Sequence, residues 1–454
     1  MDSSKKIRST YFSDAREIPQ EQGVNHDVTA RKGTWLGAIL NTINTVVGIG
    51  VLTFPFAFAR IGWILGVVLL VLSCIGSWVS IHLLSKCAFL IGGDQTNFGS
   101  TAKLINKHFA VCVDVLLVLL LLAVACVYLG ISANFFAESF QFIIPNAPAD
   151  AWYISETFFL TLITVTVCAP LSYPKKVTML QYSSGLAVVF IVYTVGLTAV
   201  YAAMPADKVC QRFLESHNRT FCEGDHCCVN GECCVGLVYP VVWNFSAFMQ
   251  AIPLFINAFT CQPQLFSIYN DLRKPTLRRL DSATSIAFVV CGVLYIVMGV
   301  SGYVTYGSSV TSDLLGTYPL NSEVTVARLG IAFVLAVSYP LLMHPTRDAV
   351  YQNIVYFGNV DPLSKFGVII YYVTCTVLVA ITFIVAIIKV KIDVILTLSG
   401  AVSTANLMFT LPAVFYWFLF KHEGYSKHRL ACIPIFFLGV FICIVNIVLW
   451  IVIE

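Results

Sequence analysis

NTINTVVGIGVLTFPFAF, residues 41–58, is apolar enough to lie in a bilayer yet carries Gly48, Gly50 and Pro55 in its middle. An unpaired backbone N–H or C=O in hydrocarbon costs several kcal/mol, so interrupted backbone at membrane depth is tolerated only where protein or a water-filled cavity satisfies it. The interruption predicts a binding site at the centre of a membrane helix.

The rest of the chain fits that reading. Hydrophobic residues make up 58% of it and charged residues only 11%, and it holds repeated uncharged stretches long enough to cross a bilayer at roughly 20 residues each. A soluble globular fold is excluded. The first 33 residues are polar and charged with no apolar core beside the amino terminus, which predicts a disordered cytosolic tail over 1–33 and no cleaved signal peptide. A membrane domain over 34–454 follows. Eleven spans are expected, starting near Trp35, Gly62, Val111, Trp152, Val177, Pro240, Ser282, Val324, Phe366, Val394 and Ile433. With the tail inside, 20 of the 27 Lys and Arg fall on the inner side and seven on the outer, as the positive-inside rule requires. The carboxyl terminus is then extracellular or lumenal. The net charge of +3 reflects this asymmetry, and nothing resembles a nucleic-acid footprint.

Residues 205–239 form an outer loop unlike the others. Six of the 16 cysteines sit there, Cys210, Cys222, Cys227, Cys228, Cys233 and Cys234, and an even cluster in an oxidising compartment reads as a disulfide framework with 15 connectivities. A zinc site using His217 or His226 is the rival reading. The remaining ten cysteines lie in or beside spans and read as small apolar packing groups. Asn218-Arg219-Thr220 is a glycosylation sequon in a lumenal loop. Asn244-Phe245-Ser246 is a second match, too close to the membrane for use.

The interrupted first span has a counterpart. Span 6 reads AIPLFINAFTCQPQLFSIYND, with Pro253 and Pro263 bracketing Asn257, Thr260, Cys261 and Gln262. Two five-span repeats would make these the first members of each half, and an odd count inverts one half relative to the other. Matched interrupted helices point to a midplane transporter site. A half-helix starting after Gly48 aims the N–H groups of Gly50, Val51 and Leu52 into the membrane centre, which suits a carboxylate. Carbonyls near Asn44 and Val47 suit a cation. Glycine admits close backbone approach, and Pro263 can open the second half of span 6. Close helix packing is the plainer explanation for either segment alone.

Neither stretch, Thr34–Ala59 or Val235–Asn270, contains Asp, Glu, Lys or Arg. A zwitterion with an uncharged side chain fits best, and the lack of an intramembrane titratable group argues against proton coupling. His82, Asp114, Glu138 and His344 remain, each nearer a span end and read as structural. Uncharged oxygens are plentiful at Asn41, Thr42, Asn44, Thr45, Ser338, Ser399, Ser403, Thr404 and Asn406. They suit a hard monovalent cation, though interhelical hydrogen bonding explains any one of them.

LNTINTVVGIGVLTFPFAFARIGW resembles the first span of the sodium-coupled neutral amino acid transporters, a branch of the amino acid/auxin permease family in the amino acid-polyamine-organocation superfamily. FTCQPQLFSIYNDLRKPT resembles their broken sixth span and SYPLLMHPTRDAV their eighth. The resemblance covers about residues 33–454. It implies an all-α polytopic membrane protein with a leucine-transporter-like 5+5 inverted repeat, broken helices 1 and 6 and one extra helix. It also implies a sodium site between spans 1 and 8, carried over to Asn44, Ser338 and the carbonyl of Val47. The family's Cys-His-Pro-Glu in span 6 is here Cys261-Gln262-Pro263-Gln264, which bears on substrate preference. The six-cysteine loop is a further departure. The candidate substrate residues are Gly48, Ile49, Gly50, Val51, Tyr128, Phe259, Thr260 and Cys261.

The expected function is secondary active transport of a neutral L-amino acid by sodium symport, at the plasma membrane or a vacuolar or lysosomal membrane. One rival is proton-coupled vacuolar or lysosomal export. Another is an amino acid sensor with a transporter-like core. No nucleophile, base or metal constellation supports an enzyme, and no cofactor beyond the coupling ion is expected.

Overall fold

The structure, a computed structural model, describes residues 33–48, 50–92, 96–144, 148, 151–174, 180–204, 228–229, 232–233, 237–361, 363–389 and 392–453. In chain order the helices are α1 (Trp35–Val47), α2 (Gly50–Ile61), α3 (Trp63–Ile91), the short α4 (Phe98–Lys103), α5 (Lys107–Ile143), α6 (Glu156–Ser172) and α7 (Leu180–Ala202). Then come α8 (Phe245–Ala258), α9 (Gln262–Asp271), α10 (Leu277–Tyr306), the short α11 (Leu314–Thr317), α12 (Ser322–Gly358) and α13 (Lys365–Ile387). The helix α14 runs from Ile392–Ser399 through two π-helical turns, Gly400–Thr404 and Asn406–Thr410, into Leu411–Leu419. Last is α15 (Lys427–Ile453). Among the described residues the only strands are β1 (Cys228–Val229) and β2 (Glu232–Cys233), which pair antiparallel with Cys228 opposite Cys233. Cys210, Cys222, Cys227, Cys234, Asn218 and residues 1–32 lie outside the described residues.

This is an all-helical polytopic membrane protein. Among the described residues, eight helices are long and apolar enough to cross a bilayer, and the bent pair α1–α2 makes a ninth. Several helices start earlier than hydropathy suggests: α5 at Lys107, α10 at Leu277 and α15 at Lys427. For the first two the cause is capping, since Asn106 accepts from the His108 amide and Thr276 from the Arg279 amide, satisfying donors that a helix start leaves orphaned. Hydrophobicity marks the membrane; caps mark the helix. In the opposite sense, α8 starts at Phe245 rather than Pro240, because residues 237–244 run along the end of α2. There Trp63 and Ile64 donate to the carbonyls of Tyr239 and Pro240, and Val242 donates to Ile61.

These contacts define two faces. On one, Gly33 pairs with Asp271 and Arg273, and Trp35 donates to Ser282. This gathers the start of α1, the end of α9 and the start of α10. The opposite face carries Ile61, Trp63, Tyr239 and Tyr303, whose hydroxyl accepts from the Tyr239 amide. Inside, α10 packs against α1, α2 and α3, while α5 and α12 lie along each other.

Candidate functional site

Both expected interruptions are present, and neither contains its proline. The first helix ends at Val47 and the next opens at Gly50, while Pro55 lies within α2. Likewise α8 ends at Ala258 with Pro253 inside it, and α9 opens at Gln262 with Pro263 in its first turn, where the missing N–H costs nothing. Tyr295 of α10 joins the two: its hydroxyl contacts the carbonyls of both Val46 and Ala258. One hydroxyl hydrogen serves one acceptor at a time, so this pair of carbonyls retains capacity for another donor.

The two breaks differ in build. A Cβ on Gly48 would come within 2.1 Å of the Tyr128 hydroxyl oxygen, and one on Gly50 within 3.0 Å of the Ala258 Cβ. Glycine at 48 thus admits the α5 tyrosine onto the backbone, and glycine at 50 admits α8. At the second break the Phe259 carbonyl accepts from Ser77 Oγ at 2.7 Å, and Gln262 Nε2 donates to the same Ser77 oxygen at 3.1 Å. Thr260 Oγ1 donates to the Ile256 carbonyl at 2.8 Å.

Between the breaks lies a cavity of about 70 Å³, which Thr45, Gly48, Gly50, Tyr128, Asn257 and Thr260 help to line and which has no charged side chain among its described lining residues. A void of about 10 Å³ adjoins it, lined by Asn44, Gly48, Val51, Tyr128 and Ser338 among others. That is the scale of one water molecule or ion. The structure therefore brings Gly48, Gly50, Tyr128 and Thr260 together, and sets Asn44, Val51 and Ser338 around the neighbouring void. Val47, Phe259 and Cys261 are buried and line neither space, the Phe259 ring packing on Tyr295 and Phe288. Ile49 lies outside the described residues.

A larger vestibule of about 660 Å³ lies in the half of the molecule toward the opposite face, and Arg60, Asn134, Glu156, Asp313 and Lys389 are among the residues lining it. Glu156 pairs with Lys389. Close by, Arg328 is 2% exposed, its Nη1 3.0 Å from Glu138 Oε2, and it donates to the carbonyls of Leu315 and Tyr318 at 2.6 and 3.1 Å. The half-buried Asp313 caps α11 by accepting from the Gly316 amide. Burial, reinforced by the charge of Glu138, pushes its carboxyl up to about 7 against the pull of the Gly316 N–H and Arg328. Of the other titratable candidates, His82 pairs with Asp281 at 2.9 Å and Asp114 accepts from Asn353 at 2.8 Å. His344 is buried in α12 beside Arg347.

Sequence reasoning missed Tyr295, Arg328 and Asp313. Arg328 carried a readable signal, a charge inside an otherwise apolar stretch. Tyr295 carried none, being one aromatic among many.

The model of the transmembrane amino acid transporter protein family matches residues 31–454. The chain belongs to the amino acid/auxin permease family. Within this family it is similar to vacuolar amino acid transporter 5 of Schizosaccharomyces pombe, at 24% identity over 87% of each chain. It is also similar to vacuolar amino acid transporter 6 of Saccharomyces cerevisiae, at 24% identity over 71% of this chain and 66% of that one. Vacuolar amino acid transporter 5 of the same yeast is 25% identical over 71% of this chain and 67% of its own. Both the family and the relatives are transporters rather than enzymes.

Proposed function

We propose that the protein is a secondary active transporter that carries neutral amino acids out of an acidic vacuolar or lysosomal lumen with protons, by alternating access. The observation that carries the transport reading is the meeting of both interrupted helices at one uncharged cavity, with Tyr295 spanning their helix-end carbonyls. Helix-end N–H groups suit the substrate carboxylate and helix-end carbonyls its ammonium, which leaves an uncharged side chain for the rest of the cavity. The vacuolar names of the relatives favour protons over sodium. So does a vestibule carboxyl, Asp313, that burial and the charge of Glu138 push up to about 7.

In this reading the chain has eleven spans, counting α1–α2, α6 and α8–α9 as one each, in a 5+5 inverted repeat with α15 added. Exchanged packing supports the repeat: α1 and α2 pack on α10 as α8 and α9 pack on α3, and α5 and α12 pack on each other. The tail is cytosolic. The vestibule, the carboxyl terminus and the loop over 205–239, with its disulfides and a glycan at Asn218, face the lumen.

A second reading, sodium coupling, is favoured by the ion-sized void that Asn44 and Ser338 share. Uptake of a labelled amino acid panel into proteoliposomes in choline buffer separates the two. Uptake driven by an imposed proton gradient is the expected result. Uptake that requires sodium and ignores the proton gradient overturns the proton assignment in favour of Asn44 and Ser338. Binding with no flux under either gradient favours a sensor.

A further inference from the structure

The central cavity is uncharged, yet one of its walls is polar in a defined direction. Asn257, in the last turn of α8, lines the cavity, and its Oδ1 accepts from Thr404 Oγ1 at 3.0 Å. Thr404 is fully buried and closes the first of the two π-helical turns of α14. Such turns are rare and concentrate at functional sites. This one is seated on α8: a Cβ on Gly400, its first residue, would come within 2.8 Å of the Pro253 carbonyl oxygen. The π-turn thus sets Thr404 against Asn257, and because the buried Thr404 hydroxyl has no other acceptor among the described residues, it donates to Oδ1 and turns the amide's N–H side away. With Oδ1 engaged, the two N–H donors of Asn257 have no partner among the described residues.

We propose that Asn257, oriented by Thr404, selects the substrate side chain, favouring uncharged amino acids that carry a carboxamide or hydroxyl oxygen over purely apolar ones. The inference rests on the amino acid reading of this cavity. The breaks at Gly48 and Thr260 offer backbone ends for the main-chain groups, and Asn257 stands one turn before Thr260, where the side chain extends. An apolar side chain would leave the Asn257 donors unpaired, a loss that sites built to hydrogen-bond their substrate turn into strong rejection. A carboxylate side chain could accept from Asn257, but among the described residues no basic group lines the cavity to offset its desolvation. Asn257 is a specificity residue, and Thr404 acts through it as a positioning residue.

The test is equilibrium binding to the purified full-length protein, with glutamine, serine, leucine and glutamate competing against one labelled amino acid. The wild type should favour glutamine and serine over leucine by about tenfold or more and exclude glutamate. Asn257→Leu should bring that ratio close to one or invert it. Thr404→Val, nearly isosteric, should lower it severalfold, and Thr404→Ser should restore it. If Asn257→Leu and Thr404→Val weaken all ligands alike, or if the wild type prefers leucine, the proposal is overturned. Because binding is read rather than flux, a protein that binds selectively but does not transport sinks the transport reading and leaves this one standing.

Discussion

At the first interruption, Gly48 and Gly50 strip the backbone bare so that Tyr128 and Ala258 approach it directly. At the second, Phe259, Thr260 and Cys261 keep their side chains, and the chain is tied to α3 through Ser77 and Gln262. The places correspond, but the materials do not. A bare break can take a ligand on its backbone and can change its torsions at little steric cost. A tied break cannot move without abandoning buried hydrogen bonds. The difference suggests a division of labour in which α1–α2 rearranges during transport while the α8–α9 break remains a fixed platform on α3.

The strongest attempt to break that comparison is Gly48→Ala. The added methyl would stand 2.1 Å from the Tyr128 oxygen and 3.3 Å from the ring carbon behind it. Transport should fall by about a hundredfold or more while membrane insertion is retained, since one extra methyl leaves the apolar stretch intact. Pairing it with Tyr128→Phe removes the closer atom and should recover part of the uptake. A Gly48→Ala protein that transports like the wild type would remove the case for a bare, ligand-facing backbone.

Ser77→Ala probes the other side. It leaves the buried Phe259 carbonyl without its donor, at a cost of about 1–3 kcal/mol. The detergent-solubilised protein should unfold at a lower temperature, and transport should fall severalfold with little change in relative substrate preference. If stability is untouched while selectivity moves, the second break is no fixed platform.

The contrast between the breaks also explains what could be read in advance. Glycines and prolines in an uncharged stretch announced both interruptions, and the absence of charge announced a neutral cavity, because these are properties of composition along one segment. The prolines misled about position, since Pro55 and Pro253 turned out to be helical. The tie between breaks was not legible. Tyr295 meets Val46 from 249 residues away, and nothing in its local sequence distinguishes it from tyrosines that only pack. Gly50 was legible as the opening of the second half-helix but not as the point where α2 meets α8.

A third way to sharpen the comparison uses pH. The first break carries a cover on one side: the segment holding Asp313 and α11 packs on α2. Burial raises the Asp313 carboxyl from its ordinary value of 3.8 to about 7, with Glu138 adding to the shift and Arg328 opposing it. A carboxyl raised by docking is bound more tightly in its protonated form. Docking is therefore fully favoured below the ordinary value and weakens as pH rises through about 7. Hydrogen exchange over residues 310–321, corrected for intrinsic rates, should show protection lost on going from acid to mildly alkaline pH. Asp313→Asn should flatten that profile. An unchanged profile in the Asn variant would assign the pH response elsewhere.

The smallest effect is expected at Thr260, where the two breaks are most alike in facing the cavity. Its hydroxyl hydrogen is already given to the Ile256 carbonyl, so toward a ligand it offers only an acceptor. Thr260→Val preserves shape and removes that acceptor together with the hydroxyl that donates to Ile256, one of the last four carbonyls of α8. A single hydrogen bond contributes about 0.5–1.5 kcal/mol net, and each 1.4 kcal/mol is tenfold in affinity. The apparent substrate constant should rise by about two- to tenfold with the maximal rate nearly unchanged, because a fixed platform contributes binding rather than movement. A collapse of the maximal rate at unchanged affinity would place Thr260 in the moving part, and the division between a mobile first break and a static second one would have to be redrawn.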